Sequence, residues 1–157
     1  MPNHLLKTAD GYQLETEIQL KSSLHTVFDF FADASNLDQL TPKWLHFQII
    51  TPQPIAMREG TLIDYRLRLH GIPIRWKTKI TVWEPPYRFV DEQIQGPYRR
   101  WIHEHTFSEH GDFTLVGDSV RYAVPGGPLV HWLFVKRDVE RIFQFRQQTL
   151  AALYGSK

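Results

Sequence analysis

The chain reads as an α+β domain: an antiparallel sheet of about seven strands, two short helices after the first strand, and one long C-terminal helix. Three observations predict it. Apolar and polar residues alternate through the middle of the chain, as in Ile63, Tyr65, Leu67 and Leu69 against Asp64, Arg66 and Arg68, which is the two-residue period of a strand with one buried face. Gly and Pro interrupt this pattern at Pro52 and Pro54, Gly71 and Pro73, Pro85 and Pro86, Gly96 and Pro97, and Gly111, leaving short strands joined by tight turns. After Pro128 the period changes, because Leu129, Leu133, Val139, Phe143, Leu150 and Leu153 recur at helical spacing.

Taken in order, the N-terminal MPNHLLKTADGYQLE lacks the apolar core and cleavage site of a secretion signal and leads into the first strand. Ser22 or Ser23 then caps a helix through Leu24, Val27, Phe28 and Phe31. A shorter helical turn follows Asn36 and runs to Thr41, where Pro42 stops it. Strands dominate from Trp44 to Val124. Pro128 suits the first turn of the closing helix, whose apolar stripe is widened by Trp132 and Ile142, with Lys136, Arg137 and Gln147 on other faces. No linker interrupts the pattern, so residues 1–157 form one domain.

Composition narrows the function. The 157 residues are 42% hydrophobic, 22% charged and 13% aromatic, enough for one ordinary core and unlike a disordered or low-complexity chain. With no cysteine, a disulfide framework, a thiolate zinc site and a cysteine nucleophile are excluded. A net charge of +1 provides no whole-molecule field, so no nucleic-acid partner is expected and any anionic partner needs a local patch. No apolar run approaches the ~20 residues of a membrane span, and a soluble, cytoplasmic protein is expected. GxxxxGK[ST], GxGxxG and GxSxG are absent, so kinase, dehydrogenase and serine-hydrolase readings lose their usual support. The sequence specifies no oligomeric state.

The run GTLIDYRLRLHGIPIRWKTKITVWEPPYRFVDEQIQGPYRRWIHEHTF from Gly60 to Phe107, followed by DSVRYAVPGGPL from Asp118 to Leu129, resembles an uncharacterised bacterial branch of the SRPBCC superfamily. This is the START-like or helix-grip group that includes the major birch pollen allergen, polyketide cyclases and coenzyme Q-binding proteins. The resemblance covers nearly the whole chain. It implies a curved sheet gripping the long helix around an apolar cavity, and no single activity, since one fold hosts many functions.

Strand registers place candidate residues in that cavity. A turn at Gly71-Ile72 would pair Leu69 with Ile74, Leu67 with Trp76, Tyr65 with Thr78 and Ile63 with Ile80. The other face would then carry Arg66 opposite Lys77 and Arg68 opposite Arg75. Around Pro85-Pro86, Val82 pairs with Phe89, Ile80 with Asp91 and Thr78 with Gln93; across Gly96-Pro97-Tyr98, Gln93 pairs with Trp101, Asp91 with His103 and Phe89 with His105. Pairing Phe107 with Thr114 sets His105 opposite Val116, His103 opposite Asp118 and Trp101 opposite Val120. The result is a polar row of Asp91, His103 and Asp118 on an otherwise apolar face.

Two carboxylates and an imidazole on a buried face are costly unless paired with one another, with water or with a ligand. The row reads as a self-satisfied polar network, as a ligand anchor, or as an acid–base device with His103 as acid/base and Asp91 or Asp118 as its orienter. Tyr65, Trp76, Phe89, Trp101, Phe107 and Tyr122, with Leu133 and Phe143 from the helix, form the expected walls, and Gln93 and His105 are further polar anchors. The expected ligand is a small hydrophobic molecule, aromatic, polyketide or isoprenoid-like; the alternative is a cyclase, aromatase or dehydratase. A metal reading needs His103, His105 and a carboxylate to converge, but no known metal spacing is present. No metal and no cofactor are therefore expected. The basic face of Arg66, Arg68, Arg75 and Lys77 suggests a third role as a noncatalytic partner module, its plain alternative being a solvated outer face.

Overall fold

The alternating segments pair into one open antiparallel sheet of eight strands, one more than the sequence suggests. The computed structural model describes residues 3–157. The strands are β1 (His4–Thr8), β2 (Gly11–Leu20), β3 (Gln48–Ile49), β4 (Leu62–Leu69), β5 (Ile72–Glu84), β6 (Arg88–Gln95), β7 (Arg100–His110) and β8 (Phe113–Ala123). Their order across the sheet is β1-β2-β8-β7-β6-β5-β4-β3. The additional strand arises because the N-terminal segment folds as a hairpin, Thr8 pairing with Gly11, before the helices begin.

Helix α1 (Leu24–Ala32) starts at Ser23, whose Oγ accepts a hydrogen bond from the Thr26 amide at 3.2 Å. Its buried Leu24, Val27, Phe28 and Phe31 pack with Ile18, Leu20, Phe89, Phe107 and Val116 of the sheet. Two 3-10 segments follow, Ala34–Leu40 and Lys43–Leu45. The closing helix comprises α2 (Gly127–Val130), a π-helical turn His131–Val135, and α3 (Lys136–Tyr154). Its Val139 and Phe143 join a cluster with Leu14, Trp101, Val120 and Tyr122, and Leu150 joins the cluster beneath α1. Helix α3 thus bridges two apolar clusters, and its buried Arg146 and Gln147 fall between them. Among the described residues no helix is long and apolar enough to cross a membrane.

Two hairpin registers differ from expectation by two positions. His70 and Gly71, with φ of 50° and 78°, form the β4–β5 turn, so Leu69 meets Ile72, Leu67 meets Ile74, Tyr65 meets Trp76 and Ile63 meets Thr78. On the outer face Arg66 then lies opposite Arg75, Arg68 opposite Pro73, and Lys77 opposite Asp64. Likewise, a tight turn at Gly111-Asp112 pairs Phe107 with Val116, His105 with Asp118, His103 with Val120 and Trp101 with Tyr122. A two-position shift keeps every side chain on its face and changes only its neighbours. The expected pairs Ile80–Asp91, Thr78–Gln93, Asp91–His103 and Phe89–His105 are present. A bulge between Ile80 and Val82 puts Trp83, rather than Val82, opposite Phe89. The β6–β7 ladder ends at Glu92–Ile102, one pair short of the expected Gln93–Trp101.

The start of β2 passes so close to β8 that only glycine fits at position 11: a Cβ there would stand 2.3 Å from the Tyr122 carbonyl oxygen. Gly11→Ala is expected to cost about 1–3 kcal/mol through this backbone clash, read as a lower urea midpoint. An unchanged midpoint would show that the hairpin yields freely.

Candidate functional site

Neighbouring strands β6, β7 and β8 point Asp91, His103, His105 and Asp118 toward α3, which contributes Arg146. His105 Nε2 lies 2.6 Å from Asp91 Oδ2, and His103 Nε2 lies 2.7 Å from Asp118 Oδ1. Arg146 forks onto Asp118, Nε donating to Oδ2 and Nη2 to Oδ1, both at 3.1 Å. His105 Nδ1 lies 3.2 Å from both Asp118 Oδ1 and Arg146 Nη2, so it faces an acceptor when protonated and a donor when neutral. Asp91 is partly buried; the other four side chains are buried.

The surroundings set the charges. Burial pushes the Asp118 carboxyl up, but the Arg146 charge and the hydrogen bonds from His103 and His105 outweigh it and hold the group well below the ordinary carboxylate value. Asp91 is also lowered, its burial being outweighed by the His105 hydrogen bond and by the charges of His103, His105 and Arg146. At His105 burial opposes the charged form, yet the carboxylates of Asp118 and Asp91 on either side raise its pKa. His103 is lowered by burial and by the adjacent His105 charge, the two rings being 3.7 Å apart. The cluster therefore sets two carboxylates with lowered pKa values against the Arg146 guanidinium and a His105 whose charged form is favoured, while the surroundings of His103 favour its neutral form.

Apolar packing fixes these groups. Phe89 stacks on His105 at 4.1 Å, Phe143 meets the His103 ring at 5.4 Å, and the Arg146 guanidinium lies 4.9 Å from the Phe31 ring centroid. A cavity of about 170 Å³ opens on one side of the cluster, walled by residues including Leu67, Trp76, Tyr98, Trp101 and Phe143 and floored by Asp91, His103, His105 and Arg146. A smaller hollow of about 60 Å³ shares Tyr65, Asp91, His105 and Arg146 with it.

Of the residues proposed from sequence, Tyr65, Trp76, Asp91, Trp101, His103, His105 and Phe143 line the larger cavity. Phe89 lines the smaller hollow and backs His105. Asp118 sits behind the histidines, bonded to His103 although it pairs across the strands with His105. The other four are placed elsewhere. Phe107 is core beneath α1. Tyr122 is fully buried and its hydroxyl bonds His131 at 2.9 Å, tying the closing helix to β8. Gln93 braces the β6–β7 turn, donating to the Tyr98 carbonyl at 2.7 Å and accepting from the Tyr98 amide at 3.2 Å. Leu133 is exposed and outside the cavity, because the π turn breaks the helical phase on which the sequence stripe relied. Sequence reasoning missed Arg146, although a charge between Phe143 and Leu150 on the apolar stripe was a readable signal, and Tyr98, which left none.

Asp91, His103 and His105 offer ligand atoms within 4.8 Å of one another. A cation there would displace the proton held between His105 and Asp91 and would sit across His105 from the Arg146 guanidinium. The donor set thus suits proton holding better than metal holding.

The fold is shared with solved structures of low sequence identity. A protein from Mycobacterium smegmatis superposes with a TM-score of 0.70 at 16% identity, covering 97% of each chain. A major latex-like protein from Panax ginseng gives 0.66 at 11% identity over 90% of this chain and 96% of that one. A nucleoside-diphosphate sugar epimerase from Corynebacterium glutamicum gives 0.67 at 22% identity over 88% of this chain but 28% of that one. No curated protein matches the sequence. The family model described as polyketide cyclase / dehydrase and lipid transport matches residues 20–148, in accord with the SRPBCC resemblance, and the chain belongs to that family.

Proposed function

We propose that this chain binds a small hydrophobic molecule carrying a polar group, its apolar part against Trp76, Trp101 and Phe143 and its polar group at Asp91, His103 and His105. The observation that carries this reading is the pairing of an aromatic-walled cavity with a largely buried, ion-paired polar floor. The cavity volume of about 170 Å³ is close to the ~150 Å³ that accommodates one benzene-sized ring. An aromatic, polyketide or isoprenoid-like ligand fits this description if one ring or branch enters and the remainder extends through the mouth.

Native mass spectrometry of protein purified without detergent, followed by denaturation and mass analysis of what is released, identifies the ligand. 2-Naphthol, its binding followed by isothermal titration calorimetry, probes the cavity directly. Leu67→Trp, which fills the cavity, is expected to weaken 2-naphthol binding at least about tenfold, or ~1.4 kcal/mol. Unchanged affinity in a folded variant would overturn the assignment of the cavity.

A second reading, an acid–base enzyme of cyclase, aromatase or dehydratase type, is favoured by His103. Its ring lines the cavity, its Nε2–H donates to Asp118, and its Nδ1 has no hydrogen-bond partner among the described residues. A neutral imidazole oriented by a carboxylate is suited to take a proton from a bound carbon or hydroxyl acid. Once a substrate is identified, a folded His103→Ala variant with full turnover would sink this reading.

A further inference from the structure

The end of the molecule where the closing helix begins has an unusual surface. Leu129, Trp132, Leu133 and Phe134 are 66%, 69%, 50% and 54% exposed, although a single short segment carries all four. The β4–β5 turn reaches the same end: His70 Nε2 lies 2.7 Å from Asp138 Oδ2, and its ring centroid is 6.2 Å from that of Phe134. That hairpin tip adds Ile72, 62% exposed. Two separate elements, joined by His70 to Asp138 and Phe134, thus present exposed apolar side chains at the same end of the molecule. Clusters of this kind on soluble domains mark interaction surfaces.

The charges beside it are predominantly basic. Lys136 and Arg137 are exposed on the next turn of helix, and Arg68 and Arg75 are exposed on the outer face of the hairpin. Arg66 and Arg75 stand opposite one another without an acidic partner between them, whereas Lys77 reaches Asp64 at 3.8 Å. Of the nearby acids, Asp138 is engaged by His70, leaving Glu140 as the acidic residue of the following turn.

We propose that this end of the molecule docks on an anionic lipid surface, Leu129, Trp132, Leu133 and Ile72 entering the headgroup region while Lys136, Arg137, Arg68 and Arg75 engage lipid phosphates. Aromatic and aliphatic side chains flanked by Lys and Arg are the composition of an interfacial membrane segment. A nucleic acid would use the basic groups but leave the aliphatic ones without a role. The location supports the inference. A cleft formed by Leu69, Tyr98, Val130 and Phe134 borders this end, and Leu69 and Tyr98 also wall the larger cavity. The docking end therefore adjoins the cavity through Leu69 and Tyr98, on a side from which an apolar ligand would pass to or from a bilayer. Docking itself stands independently of what the cavity holds.

The test is flotation of the full chain with phosphatidylcholine vesicles, with and without phosphatidylglycerol, at low and high salt. Binding is expected to the anionic vesicles, weakened by salt, and reduced at least about tenfold by Trp132→Ser with Leu133→Ser and by Lys136→Glu with Arg137→Glu. These positions are exposed, so the melting temperature and 2-naphthol affinity of the variants should match the parent. That comparison separates failure of docking from failure of the cavity reading. Three results would overturn the proposal: no flotation with anionic vesicles, flotation indifferent to the Trp132 and Leu133 substitutions, or a stable dimer by light scattering that those substitutions dissociate without any vesicle binding by the parent.

Discussion

Arg146→Met is expected to lower the free energy of unfolding by about 3–5 kcal/mol, the cost of stripping one partner from a buried ion pair. Methionine keeps much of the apolar stem that packs on Phe31 but removes both donors to Asp118. Asp118 is then buried with only neutral or shared partners, and its carboxyl rises toward protonation because the charge that held it down is gone. Urea unfolding at neutral pH measures the loss. Arg146→Lys, which keeps the charge and loses the fork, should fall between the parent and the methionine variant. Adding Asp118→Asn to Arg146→Met should recover part of the loss, since the stranded charge is removed with its partner. A cost below about 1 kcal/mol, the value of a surface pair, would mean that the cluster is open to water.

His103 and His105 are expected to titrate on opposite sides of a free imidazole. His105 should stay protonated above the ordinary value and His103 should stay neutral below it, because the carboxylates flank His105 on both ring nitrogens while His103 meets burial and a neighbouring positive charge. Histidine ring nitrogen shifts followed by NMR across the pH range report this directly. Two rings titrating together near ~6.5 would overturn it. Stability follows by linkage. The raised pKa of His105 contributes stability that is fully present below ~6.5 and is lost as pH rises through its folded value. His103 is depressed, so its contribution is present above ~6.5 and is lost as pH falls through its folded value. Asp91 and Asp118 are depressed as well, and theirs is present above ~3.9 and lost as pH falls through their folded values. His105→Gln should therefore be most destabilising relative to the parent in mildly acidic solution, with the difference narrowing as pH rises. A difference that widened with pH would reverse the assigned sign.

These groups show how far the sequence could be read. Tyr65, Leu67, Trp76, Asp91, Trp101, His103 and His105 were all assignable to one face, because successive side chains of a strand point to opposite faces and a two-position slip leaves the face unchanged. The same insensitivity is why the β4–β5 and β7–β8 pairs were misplaced, while the expected Asp91–His103 and Phe89–His105 pairs are present. Asp118 was expected opposite His103 and lies opposite His105, since the turn at Gly111-Asp112 encloses two residues, with His110 and Phe113 as the first pair. The polar row nonetheless forms, because the His103 side chain leans diagonally to reach Asp118 Oδ1. At the C-terminal helix the helical period placed Val139, Phe143 and Leu150 correctly but failed at Leu129, Trp132 and Leu133, around the π turn His131–Val135 that shifts the phase, and at the exposed Leu153 in the last turn.

The sequence by itself therefore determined the α+β class, the element order after the N-terminal hairpin and the face of the strand residues short of the Ile80/Val82 bulge, all of which follow from local periods and turn residues. Only the tertiary structure decided which of those residues meet, and above all that Arg146 crosses from α3 to Asp118 and His105. A periodic pattern encodes direction relative to its own strand or helix; the distance between groups far apart in the chain is set by turn geometry and by how the helix packs across the sheet.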